Sequence, residues 1–90
     1  MIEIYCVATG KVQGVAYRDY IQTSAGELGL CGWTQNMSDG TVAVCAQGLP
    51  DDLKDFAEYV WEGSLKARVD CVSIDWRTAK EVYEDFSIIH

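Results

Sequence analysis

Apolar residues in this 90-residue chain fall in short blocks whose internal spacing changes from block to block. Ile2 to Thr9 is a brief run rich in β-branched and aromatic side chains, which predicts a central strand. From Val15 to Leu28 the positions Tyr17, Ile21, Ala25 and Leu28 share one helical face. Gly26 weakens that helix by about 1 kcal/mol relative to alanine, and Gly29 supplies a stop. Cys31 to Asn36 and Thr41 to Ala46 flank Met37-Ser38-Asp39-Gly40, where the Asp-Gly pair predicts a hairpin turn. Pro50-Asp51-Asp52 has the proline and acidic residues that favour a helix start. Leu53, Phe56, Ala57, Val60 and Trp61 then repeat at helical spacing up to Gly63. Ala67 to Trp76 reads as a fourth strand, Arg77 to Glu84 as a polar connection and Asp85 to Ile89 as a short last strand.

The order is therefore β-α-β-β-α-β with a terminal strand added. Such an order predicts an α+β, ferredoxin-like two-layer sandwich, a mostly antiparallel sheet with two helices on one face. Ninety residues make a single domain, 1–90, with one modest core. The fold by itself says nothing of function, because many activities use it.

Charge narrows the classes of partner. With 49% hydrophobic and 23% charged residues the chain is an ordinary globular protein, and its net charge is −7. Seven scattered basic residues do not make a nucleic-acid surface, so no nucleic-acid partner is expected. No apolar run reaches membrane-spanning length, and Met1 to Ala8, interrupted by Glu3, reads as a strand rather than a leader. A cytoplasmic monomer is the expectation. Cys6, Cys31, Cys45 and Cys71 lie far apart and the one histidine is His90, so no metal site and no cofactor are expected. The four thiols are expected to be buried and free.

The chemistry is concentrated in Gly10-Lys11-Val12-Gln13-Gly14-Val15-Ala16-Tyr17-Arg18. Two glycines bracket a tight loop between a strand and a helix, and successive N–H groups at a helix start can face one anion. Arg18 adds a permanent charge with forked donors that match phosphate oxygens. An ordinary strand–turn–helix connection would use the same residues. The spacing fits neither a P-loop nor a dinucleotide fingerprint, which removes those nucleotide-binding routes.

A second segment, Gly32-Trp33-Thr34-Gln35-Asn36-Met37-Ser38-Asp39-Gly40-Thr41-Val42 with Gly48 after it, decides between these readings. Together the two segments resemble the acylphosphatase family, matching at Gly10, Val12 to Val15, Tyr17, Arg18, Gly32, Trp33, Asn36, Gly40, Val42 and Gly48. The resemblance runs the whole chain, ending in Phe86-Ser87-Ile88-Ile89-His90. It implies hydrolysis of acyl phosphates to a carboxylate and inorganic phosphate. It also implies that Arg18 binds phosphate, that backbone N–H groups of Gln13, Gly14, Val15, Ala16, Tyr17 and Arg18 complete a cradle, and that Asn36 holds the attacking water. Thr34 and Gln35 depart from the apolar and basic residues common before the asparagine, and Ala16 from the glycine or phenylalanine frequent there. The loss of a basic residue beside Asn36 bears on substrate capture more than on chemistry. Tyr17 and Trp33 are expected to pack rather than touch substrate, and Lys11 to be surface charge.

A poor inventory of catalytic side chains suits this reaction. The leaving carboxylate has a conjugate acid of pKa about 4 to 5 and departs without a proton donor. Positioning and charge stabilisation can then suffice. Two alternatives stay open: an acylphosphatase-like, phosphate-binding domain of a larger protein, as in hydrogenase-maturation carbamoyltransferases, and a small regulatory or RNA-binding ferredoxin-like module.

Overall fold

A computed structural model describes all residues, 1–90. Its elements are β1 (Ile2–Lys11), α1 (Tyr17–Glu27), β2 (Cys31–Asn36), β3 (Val42–Gly48), α2 (Pro50–Glu62), β4 (Arg68–Thr78) and β5 (Phe86–Ile89). The strands form one sheet in the order β4-β1-β3-β2-β5. All neighbours are antiparallel except β5, which runs parallel to β2 with Gly32 opposite Phe86 and Gln35 opposite Ile89. This is the ferredoxin-like sandwich with an added strand that the pattern predicts.

The core lies between the sheet and the two helices. Ile4, Cys6 and Ala8 of β1 alternate toward it, as do Val42, Val44 and Ala46 of β3, because successive strand residues face opposite sides. Tyr17, Ile21 and Ala25 of α1 meet Leu53, Phe56 and Val60 of α2 over that face. Three predicted positions fall outside the buried stripe. Leu28 is the C-cap of α1 and only half-buried, Ala57 is half-buried, and Trp61 is exposed at the flank of α2.

Helix α1 begins at Tyr17, two residues later than its apolar periodicity suggests, because Ala16 has left-handed φ and ψ of 59° and 25°. Periodicity reports which face is buried, whereas the start of the helix is set by backbone dihedrals that it does not encode.

The opposite face of the sheet is covered too, by the polar connection after β4. Gln47 of β3 donates to a Glu3 carboxylate oxygen at 2.9 Å and accepts from the Tyr83 N–H at 3.1 Å. Arg77 donates to the other Glu3 oxygen and lies 5.0 Å over the Tyr5 ring, while Trp33 donates its indole N–H to the Tyr83 hydroxyl. Glu3 and Gln47 are thereby buried with partners, 5% and 2% exposed. Burial works to raise the Glu3 carboxyl, but hydrogen bonds from Gln47, Arg77 and the Cys45 thiol outweigh it and hold the group below its ordinary value.

The thiols divide. Cys6 and Cys45 are buried, and burial pushes each up to about 12, aided at Cys6 by the Cys45 thiol and at Cys45 by the Glu3 carboxylate. Cys31 is half-buried and Cys71 is exposed, contrary to the expectation that all four are buried. Cys71 sits on edge strand β4, on the side that α2 does not cover.

Candidate active site

Strand β1 ends in an irregularity that opens the loop. Its register with β4 shifts between Thr9 and Gly10. Gly10 has φ of 122°, and any side chain there would overlap the Arg68 carbonyl oxygen, so only glycine lets the two strands approach. Beyond Lys11 the chain turns through Gly14, at φ 73°, and Ala16, at φ 59°. Left-handed residues spaced like this turn successive N–H groups toward a common side, the concave arrangement that binds anions. A non-glycine residue in that region costs about 1–2 kcal/mol, so Ala16 is held there by its surroundings.

Those N–H groups are free. From Gln13 to Asp19 none donates to a protein acceptor, and the first bond into α1 runs from the Tyr20 N–H to the Ala16 carbonyl at 3.1 Å. The partial positive charge of the helix start adds to the same place. Three side chains fix the loop through four hydrogen bonds. Gln13 Nε2 donates to the Met37 and Thr41 carbonyls at 2.8 and 2.9 Å. Ser64 Oγ donates to the Val15 carbonyl at 2.9 Å, and the Tyr17 hydroxyl donates to the Val60 carbonyl at 2.6 Å.

Beside the loop lies a cavity of about 240 Å³ lined in part by Gly14, Ala16, Tyr17, Arg18 and Asn36. Arg18 is half-buried and takes part in neither ion pair of the molecule, which join Arg68 to Asp70 and Arg77 to Glu3. Its guanidinium makes one long hydrogen bond, 3.4 Å, to the Ile89 carbonyl. Asn36 ends β2, and its Oδ1 is the one buried side-chain polar atom in the molecule without a hydrogen-bond partner. Leaving such an acceptor unmatched costs about 1–3 kcal/mol, so it marks a place where a donor belongs.

The residues read from the sequence are therefore partly gathered. Gly14, Ala16, Tyr17, Arg18 and Asn36 share the cavity, whereas Gln13 and Val15 lie outside its lining. Tyr17 is 1% exposed and belongs mainly to the core, where burial pushes its phenol well above the usual range. Trp33 packs edge-on against Tyr5 on the far side of the sheet. Val12, Asp19, Ile88 and His90 line the cavity although the sequence assigns them no site role. The last two arrive because β5 pairs in parallel with β2 and so ends beside Asn36, a pairing that no local pattern announces. No group of three or more His, Cys, Asp or Glu side chains is placed to hold a metal ion. An unpaired guanidinium, a row of free N–H groups and an unmatched amide oxygen can together receive an anion and orient a small donor against it.

A family model described as acylphosphatase matches residues 4–88. An acylphosphatase of Dehalococcoides mccartyi (strain CBDB1) is 42% identical over 85 residues, which is 93% of each chain. The crystal structure of acylphosphatase from Bacillus subtilis superposes with a TM-score of 0.97 at 33% identity, covering 100% of both chains. Full-length HypF in its phosphate- and nucleotide-bound form contains a similar region, with a TM-score of 0.85 at 28% identity over 100% of this chain and 12% of HypF. Fold, length and sequence agree, and the chain belongs to the acylphosphatase family.

Proposed function

We propose that this chain hydrolyses small acyl phosphates, with Arg18 and the backbone of residues 13–18 holding the phosphoryl group and Asn36 holding the attacking water. The observation that carries this reading is the unmatched Asn36 Oδ1 in the same cavity as the unpaired Arg18 guanidinium. Family membership supplies the reaction class.

Each group then has one task. The free N–H groups and Arg18 take the non-bridging phosphoryl oxygens and neutralise charge that shifts among them in the transition state. Asn36 Oδ1 accepts a hydrogen bond from the water, which turns an oxygen lone pair toward phosphorus. A new P–O bond forms to water while the bond from phosphorus to the carboxylate oxygen breaks. The electron pair leaves with the carboxylate, a weak enough base to need no proton. Asn36 is not basic, so the water's proton passes to a phosphoryl oxygen, and the products are a carboxylate and inorganic phosphate. No metal or cofactor is needed for any of these steps.

Four unpaired cysteines suit a reducing, cytoplasmic compartment. The test is hydrolysis of benzoyl phosphate in ¹⁸O-labelled water with a chelator present. Turnover with the label in inorganic phosphate is expected. A folded chain without turnover, or a label found in benzoate, overturns the reading. The likeness to part of HypF favours a second reading, a phosphate-binding domain of a larger protein, which predicts phosphate binding without turnover.

A further inference from the structure

The geometry points to Gln13 as a positioning residue for Asn36, a role that rests on the function proposed above. Gln13 leaves the phosphate-side loop and donates both protons of Nε2 across to the next loop, to the Met37 carbonyl at 2.8 Å and the Thr41 carbonyl at 2.9 Å. Met37 directly follows Asn36 in the chain. The turn it begins is closed within itself, because the Met37 N–H donates to the Thr41 carbonyl at 2.8 Å. Asp39 Oδ1 accepts from the Thr41 N–H and hydroxyl at 3.1 and 2.6 Å. A turn so closed moves as a unit. Gln13 ties that unit to the loop that carries the free N–H groups, and so sets the distance between the anion cradle and the Asn36 amide.

A carboxamide is the side chain this bridge requires. Two carbonyl acceptors need two donors on one nitrogen, which Gln offers and Glu does not. A carboxylate at position 13 would set acceptor against acceptor. An apolar side chain would take away the donor that crosses between the loops, leaving the Thr41 carbonyl to the Met37 N–H and the Met37 carbonyl to the Gly40 N–H, both within the turn. The Gln13 side chain lies outside the cavity lining, so it acts through the turn it holds beside Asn36 rather than by contact with substrate.

The test is a double-mutant cycle on benzoyl phosphate hydrolysis, with Gln13→Met, Asn36→Ala and the pair, alongside competitive inhibition by inorganic phosphate. Misplacing a reacting group by about 1 Å can cost 10²-fold, so Gln13→Met should lower kcat about 10-fold or more. Its inhibition constant for phosphate should stay within about threefold, because the cradle and Arg18 are intact. In the Asn36→Ala background the same change should cost nothing further, since groups that act as a unit are not additive. An unchanged kcat, or a loss that multiplies in the Asn36→Ala background, overturns the proposal. Asn36→Ala as active as the wild type would sink the role of Asn36 itself, and the bridge with it. Should Gln13→Met fold poorly, side-chain amide exchange of Gln13 by NMR in the wild type decides. Protection from solvent is expected, and free exchange contradicts the bridge.

Discussion

Arg18 and Asn36 reach one cavity from a helix start and a strand end, Arg18 from the first turn of α1 and Asn36 from the last residue of β2. At the residue scale each is notable for what it does not bind. Arg18 keeps its charge clear of any carboxylate partner, and Asn36 keeps an acceptor unmatched at a cost to stability. A planar fork of donors engages two phosphoryl oxygens at once, which the point charge of a lysine does not. Arg18→Lys should raise the inhibition constant for inorganic phosphate and lower kcat by 10²-fold or so, as loss of a transition-state donor does. Steady-state kinetics with phosphate as competitor checks this, and a lysine variant as active as the wild type would contradict it. The sequence disclosed both residue types, but not the state of their partners. That Oδ1 is left unmatched and that Gln13 bridges to the hairpin depend on atoms 24 and 28 residues apart, beyond the reach of local pattern.

At the scale of elements, strands and helices were legible wherever burial imposes a period. Leu53, Phe56 and Val60 show it on α2, and Ile4, Cys6 and Ala8 on β1. Ends were less legible. α1 starts two residues late because Ala16 is left-handed, and β3 runs on to Gly48 because β1 pairs with it there. The parallel docking of β5, which delivers Ile88 and His90 to the cavity, follows from tertiary packing alone. Within α1, Gly26 is an exposed interior residue with open space around the position of a Cβ. Gly26→Ala should therefore stabilise the protein by about 0.5–1 kcal/mol, read as a rise in the denaturant midpoint. A lowered midpoint would mean that the helix needs the glycine for some contact not visible in its packing.

At the scale of the molecule, the sheet has one apolar face under the helices and one polar face under the segment after β4. The second depends on Glu3, Gln47 and Arg77. Glu3 stays below its ordinary value of 4.5 because hydrogen bonds from Gln47, Arg77 and Cys45 outweigh its burial. A carboxyl depressed by folding stabilises fully above its unfolded value and loses that contribution as pH falls through the folded one. Between about pH 5 and pH 3 the melting temperature of the wild type should fall more steeply than that of Glu3→Gln. Parallel curves would show that the carboxylate adds nothing. This braced sheet carries the proposed anion site in a chain of net charge −7, so capture there would depend on the local cradle rather than on the overall field. The central claim is that Asn36 serves the water and leaves the phosphate alone. The most direct measurement is benzoyl phosphate hydrolysis by folded Asn36→Ala beside the wild type, with phosphate inhibition read from the same assays. The account predicts kcat lowered by 10²-fold or more and a phosphate inhibition constant within about threefold of the wild type. Equal turnover by the two proteins would contradict it.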